Sequence, residues 1–174
     1  EIGDELVARA AALKPLLSEQ QDANEERGTY SEELHREFLK AGFYHALLPR
    51  MFGGLEVDLP TFFRTMIEVS KGHPAAGWCL TLSASHPLLI GSHWGEQAQR
   101  ELLGAGPYFA APHSASPQGT CTPVPGGYEI SGTWRYASGI PFSTHLGGTT
   151  LIVGESGPQP MLFVVPKEKY TILD

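Results

Sequence analysis

Cysteine is scarce: Cys79 and Cys121 are the only two in 174 residues. Their spacing offers neither a disulfide framework nor a thiolate metal site. Basic residues are also few, 12 Lys and Arg against 19 Asp and Glu for a net charge of -7. They are scattered along the chain, so no cationic surface forms to track phosphates, which argues against nucleic acid as a partner. Long apolar runs are missing as well. The longest, Trp78 to Ile90, is interrupted by Ser83, Ser85, His86 and Pro87 and falls short of the ~20 residues needed to cross a bilayer. No membrane association is expected. The sequence does not open on a basic stretch followed by an apolar one, and with so few thiols a reducing cytoplasm is the expected compartment. There is no Gly-x-Gly-x-x-Gly after a strand, no Gly-Lys-Ser/Thr phosphate loop and no Gly-x-Ser-x-Gly elbow, which removes support for nucleotide triphosphate chemistry and elbow-type hydrolysis. Among the seven histidines, His86, His93 and nearby Glu96 lack a further ligand in register, so no metal site is expected.

What is present reads as helices followed by strands. Leu6, Ala10, Leu13 and Leu17 recur at helical spacing, predicting an amphipathic helix that continues to about Arg27-Gly28. Thr29-Tyr30-Ser31-Glu32 has the form of a capping box for a second helix that buries Leu34 and Phe38 and stops at Gly42. Asp58 can cap a third helix with Leu59, Phe62, Phe63, Met66 and Ile67 inward and Gly72 at its end. His73-Pro74 opens a fourth, carrying Trp78 and Leu82, which should bend or stop near Pro87, and Glu96 to Leu103 forms a last helix. Beyond Gly104 the composition shifts to Gly, Pro, Thr and β-branched residues. Alternation through Tyr128, Ile130, Gly132, Trp134 and Tyr136 predicts one long strand after a Pro125-Gly126-Gly127 turn, with further strands at Cys121-Val124, Thr149-Gly154 and Met161-Val165. Segregated helices and antiparallel strands define an α+β fold: an N-terminal all-helical domain at 1–105, then a small antiparallel β domain at 106–174. Because a sheet ending at Asp174 would leave an uncovered edge, the β domain is expected to be incomplete.

The segment Gly126-Gly-Tyr-Glu-Ile-Ser-Gly-Thr-Trp-Arg-Tyr-Ala-Ser-Gly139 resembles the flavin-binding strand of the acyl-CoA dehydrogenase superfamily. Phe52-Gly53-Gly54, Gly95-Glu96-Gln97 and Pro117-Gln118-Gly119 stand around it in that family's order. The resemblance implies a helical domain, a β domain and a C-terminal four-helix bundle, the last missing from this chain, and a homotetramer built through that bundle. It also implies that Ser138 hydrogen-bonds the flavin N5, that Tyr136 and Ala137 lie along the ring system, and that Trp134 belongs to the same wall. Strand alternation would put Tyr136 and Ser138 on one face, an aromatic ring beside a hydroxyl. That pair suits a flat cofactor.

The loop Ala110-Ala-Pro-His-Ser-Ala-Ser-Pro-Gln-Gly-Thr120 departs from the Thr-Glu-Pro-Gly-x-Gly-Ser of the dehydrogenases, losing the Glu. It is similar to the two-component flavin monooxygenases, which take reduced flavin from a partner reductase. In the phenol hydroxylases of that branch a loop Ser and a His of the preceding helix meet the substrate hydroxyl. By resemblance these are Ser114, or Ser116 if the loop is gapped, and His86. Trp78, earlier on the same helix, could line the same pocket, with core packing as its alternative role. A neutral imidazole at His86 could accept a phenolic proton. The activity so implied is hydroxylation of a small, phenolic substrate with reduced FAD or FMN and O2. An acyl-CoA dehydrogenase using FAD and a non-catalytic module of the same fold remain the alternatives.

Overall fold

The computed structural model describes residues 1–154 and 157–173. Seven α-helices come first: α1 Ile2–Ala12, α2 Lys14–Glu19, α3 Gln21–Arg27, α4 Glu32–Ala41, α5 Leu59–Gly72, α6 Pro74–His93 and α7 Glu96–Leu103. The single helix expected up to Arg27 is thus three short ones. Pro15 sits in the first turn of α2 and supplies no N–H to the turn before it, so the chain restarts there. Leu13 and Gln20 keep right-handed helical angles, and the path stays continuous. The cap of α4 also moves: Ser31, not Thr29, accepts the Leu34 N–H at 3.1 Å. Asp58 caps α5 through the Thr61 N–H at 2.9 Å, as expected. Its buried face is Phe62, Thr65, Met66 and Val69, while Leu59, Phe63 and Ile67 face outward.

Pro87 does not stop α6, which runs through it to His93. Proline leaves the carbonyl four residues earlier without its helical donor, and that carbonyl belongs to Ser83. The N–H of Ala111, on the segment leading into the sheet, donates to Ser83 O at 3.1 Å. The helix defect therefore becomes the joint between helices and sheet. Leu6, Leu17, Phe38, Phe62, Val69 and Leu80 centre the main core. A second cluster of Leu48, Ile90, Leu103, Phe109 and Ala111 packs against Val164, continuing the apolar interior across the joint.

The sheet is mixed rather than purely antiparallel. β4 His145–Gly154 pairs antiparallel with β5 Gly157–Pro166 on one edge. On its other edge β1 His113–Ser114 and β2 Thr120–Val124 both run parallel to it, one after the other. β2 turns back into β3 Gly127–Ser131 as an antiparallel hairpin. The strand expected to reach Tyr136 stops at Ser131, because the hairpin register sets Ser131 opposite Thr120 and the partner strand has no further residue to offer. In the gap between β1 and β2, Thr149 O accepts both the Gln118 N–H at 3.0 Å and the Trp134 indole N–H at 2.9 Å. The indole thus adds a second donor to a carbonyl that the main chain already meets.

Candidate functional site

Residues 132–139 form a loop pinned at both ends. At its start the half-buried Trp134 ring meets Phe163 edge to face, with centroids 4.9 Å apart, so Trp134 packs against β5. Just past its end Phe142 stacks between Tyr30 at 4.7 Å and His35 at 4.6 Å. Those two rings belong to a chain of hydrogen bonds, Tyr30 to Tyr44 at 3.0 Å, Tyr44 to His35 Nδ1 at 3.1 Å, and His35 Nε2 to Tyr108 at 3.3 Å. The Tyr108 hydroxyl also reaches Phe142 O at 3.3 Å, which ties the loop into the helical core. Burial raises the Tyr30 and Tyr44 hydroxyls well above the ordinary phenol range and lowers His35. The chain is therefore neutral near pH 7, and its members act as fixed donors and acceptors.

Two further contacts hold the middle of the loop. The Ser114 hydroxyl, buried, donates to Arg135 O at 2.9 Å. Gly139 has φ 89°, and a side chain there would meet Ser83 Oγ and come within 3.0 Å of Cys79 O, so α6 and the loop approach as closely as backbone allows. With neighbours so anchored, Tyr136 is left 92% exposed at φ 60°. A bulky residue in the left-handed region carries strain of about 1–3 kcal/mol and is seen where function requires it. Ala137 is half-buried beside it. Ser138 is half-buried, and its Oγ accepts the indole N–H of Trp78 at 3.3 Å. Since indole only donates, the Ser138 proton remains free to donate. The alternation argument for Tyr136 and Ser138 does not hold, because these residues are not in a strand. What sets them side by side is a pinned loop leaning on α6. An open flat ring next to a hydroxyl with a free proton nonetheless fits the edge and face of a flavin.

His86 lies about 12 Å along α6 from Trp78, eight residues at ~1.5 Å each. Its partner is not Ser114 but His113, whose ring stands 5.6 Å away at 73°. Neighbours in β1 face opposite ways, so one of the His113/Ser114 pair turns to His86 and the other to Arg135. His113 Nε2 meets Thr149 Oγ1 at 3.2 Å. The His86 Nδ1 atom is buried without a partner. Burial lowers the pKa of both imidazoles, and for His113 the neighbouring His86 adds to the effect. Both are neutral at pH 7. Between them and Trp94, Leu162 and Phe163 lies a space of about 20 Å3, enough for one water and too small for an aromatic ring. Ser116 is exposed on the loop and contributes to neither group. The structure thus gathers Trp78, Tyr136, Ala137 and Ser138 in one place and His86 with His113 in another. The His113 contact had no signal in the sequence, since it depends on a parallel pairing between residues 34 apart, His113 with Gly147.

Comparison with known proteins bears on this arrangement. The family model for the acyl-CoA dehydrogenase N-terminal domain matches residues 7–103. The pigment production hydroxylase of Rhodococcus sp. is 32% identical over 98% of this chain and 44% of its own length. The flavin-dependent monooxygenase oxygenase subunit HsaA of Mycobacterium tuberculosis is 29% identical over 94% of this chain and 42% of its own. The crystal structure of XiaF from Streptomyces sp. in complex with FADH2 and glycerol superposes with a TM-score of 0.91 at 23% identity, covering all of this chain and 44% of that one. This chain therefore spans less than half the length of the relatives it matches.

Proposed function

Because the chain belongs to the acyl-CoA dehydrogenase family, we propose that it serves a flavin-dependent monooxygenase that hydroxylates a small phenolic substrate with reduced flavin and O2. The observation that carries this reading is the exposed Tyr136 ring beside Ser138, whose Oγ accepts a hydrogen bond from the Trp78 indole N–H. Relatives named as a hydroxylase and as an oxygenase subunit of a flavin-dependent monooxygenase support the same chemistry. Reduced FAD or FMN, when bound, would supply the reaction with O2 that delivers an oxygen atom to the substrate.

The residues of this chain have narrower tasks. Tyr136 and Ala137 offer a face to the ring system, and Ser138 hydrogen-bonds its N5 edge. Trp78 orients that hydroxyl, while Ser114 and Trp134 hold the loop that carries it. Neutral His86 takes the proton of the substrate hydroxyl, through a single water in the small space beside His113. The remaining parts of the reading concern the larger assembly. Residues 1–105 act as the helical domain and 106–174 as the β domain, and a C-terminal four-helix bundle closes the flavin site and builds a homotetramer. A partner reductase supplies the flavin, and the two unpaired cysteines suit a reducing cytoplasm.

The test uses the intact protein with NADH, a flavin reductase, FAD or FMN, and a panel of simple phenols under 18O2. A hydroxylated product carrying one labelled oxygen is expected. Anaerobic reduction of the bound flavin by an acyl-CoA would instead establish a dehydrogenase. A protein with no affinity for oxidised or reduced flavin would end both readings in favour of a binding module.

A further inference from the structure

A cavity of about 180 Å3 lies within the helical region, sharing no residue with the narrow space beside His86. The end of α3, the turn through Thr29 and the first turn of α6 line it, and it opens to the surface at Glu25, Gly28 and Ala75. Its volume exceeds the ~150 Å3 that admits benzene in an engineered protein cavity. Tyr30, Ala76 and Cys79 form an apolar wall. Burial raises the Cys79 thiol, so it stays protonated and behaves as a small soft apolar group.

Two polar side chains in the lining have nothing to bond. Asn24 is 3% exposed, and Arg27 holds its amide oxygen at 2.8 Å, which leaves Nδ2 without a partner. His73 is 2% exposed and neither ring nitrogen has a partner. Buried polar groups left unpaired in this way are destabilising, and a ligand that pairs them gains by it. Together they present an amide donor plus an imidazole that donates from one nitrogen and accepts at the other. Glu25 lies close enough to favour charge on that imidazole, but burial outweighs it and the ring is neutral.

From this geometry we propose that the cavity is a second binding site for a neutral, single-ring molecule bearing a hydroxyl, of which phenol is the simplest. The ring lies on Tyr30, Ala76 and Cys79. The hydroxyl accepts from Asn24 Nδ2 and donates to the bare nitrogen of His73, satisfying the amide and one of the two imidazole nitrogens at once.

The test is 19F NMR on the intact, flavin-free protein with 4-fluorophenol and fluorobenzene as probes, so that its outcome does not depend on any hydroxylase activity. Saturable binding of 4-fluorophenol is expected. His73→Phe keeps a ring in place while removing both nitrogens and should weaken 4-fluorophenol about tenfold, the loss of one neutral hydrogen bond, with fluorobenzene unaffected. Ala75→Phe, at an exposed rim position, narrows the mouth without disturbing the core and should abolish binding of both. The proposal is overturned if 4-fluorophenol does not bind saturably, as when water alone fills the cavity. It is equally overturned if binding survives Ala75→Phe and is lost in His86→Leu, which would place the ring beside His113.

Discussion

Ser138 is half-buried, accepts one hydrogen bond from Trp78 and retains its own proton. Ser138→Ala removes the group that would meet the flavin edge. We expect a five- to tenfold weaker affinity for reduced flavin, about 1 kcal/mol for one neutral hydrogen bond, and more O2 consumed without product as water reaches the cofactor. Unchanged coupling of product to O2 would remove Ser138 from the reaction. Trp78→Phe keeps the ring but deletes the indole donor, leaving the hydroxyl present and free to rotate. A smaller loss of flavin affinity than in Ser138→Ala is the expected result, and a larger one would mean that Trp78 acts on the cofactor directly rather than through Ser138.

The loop after β3 shows how an element without regular structure can be rigid. Trp134, Phe142 and Ser114 fix it from three sides, and Gly139 makes the close approach to α6 possible. Gly139→Ala forces a Cβ into a left-handed backbone and against Ser83. A loss of about 1–3 kcal/mol of stability is expected from the backbone conformation alone, measurable as a lower urea midpoint. A variant as stable as the parent would show that the loop can retreat from α6. The same logic governs α6 at Pro87. Pro87→Ala restores a helical donor to Ser83 O in competition with Ala111, so the prediction is increased amide exchange at Ala111 with α6 itself unchanged in length. Continued protection of that amide would indicate that Ala111 is held by its other packing.

Five histidines, His35, His73, His86, His113 and His145, are shifted downward chiefly by burial. In each the folded protein binds its proton less readily than the unfolded chain, whose imidazoles titrate near 6.5. Stability is therefore complete above about pH 6.5 and declines as pH falls from there through the lower folded values, by up to about 1.4 kcal/mol per pH unit for each histidine within its window. Thermal unfolding should shift to lower temperature between pH 7 and pH 5. Equal midpoints across that range would mean that the imidazoles are hydrated in solution. The outward-facing Leu59, Phe63 and Ile67 on α5 belong to the whole molecule as well, since nothing among the described residues covers them.

Local physics was legible from the amino-acid sequence alone. The Asp58 cap, the Gly42 terminus, the limits of α7 and the order of helices before sheet all rest on interactions within a few residues. The resemblance carried by the Gly126 to Gly139 segment is likewise a local pattern, and Ser138 and Tyr136 are candidates on that pattern alone. Tertiary contacts decided the rest. A hairpin register ended β3 at Ser131, and an N–H from residue 111 met the carbonyl that Pro87 leaves without a helical donor. A parallel pairing turned His113 rather than Ser114 toward His86, and a donor 60 residues away reached Ser138. Each of these depends on which distant backbone group arrives to satisfy a carbonyl or a hydroxyl, and no local pattern records that arrival.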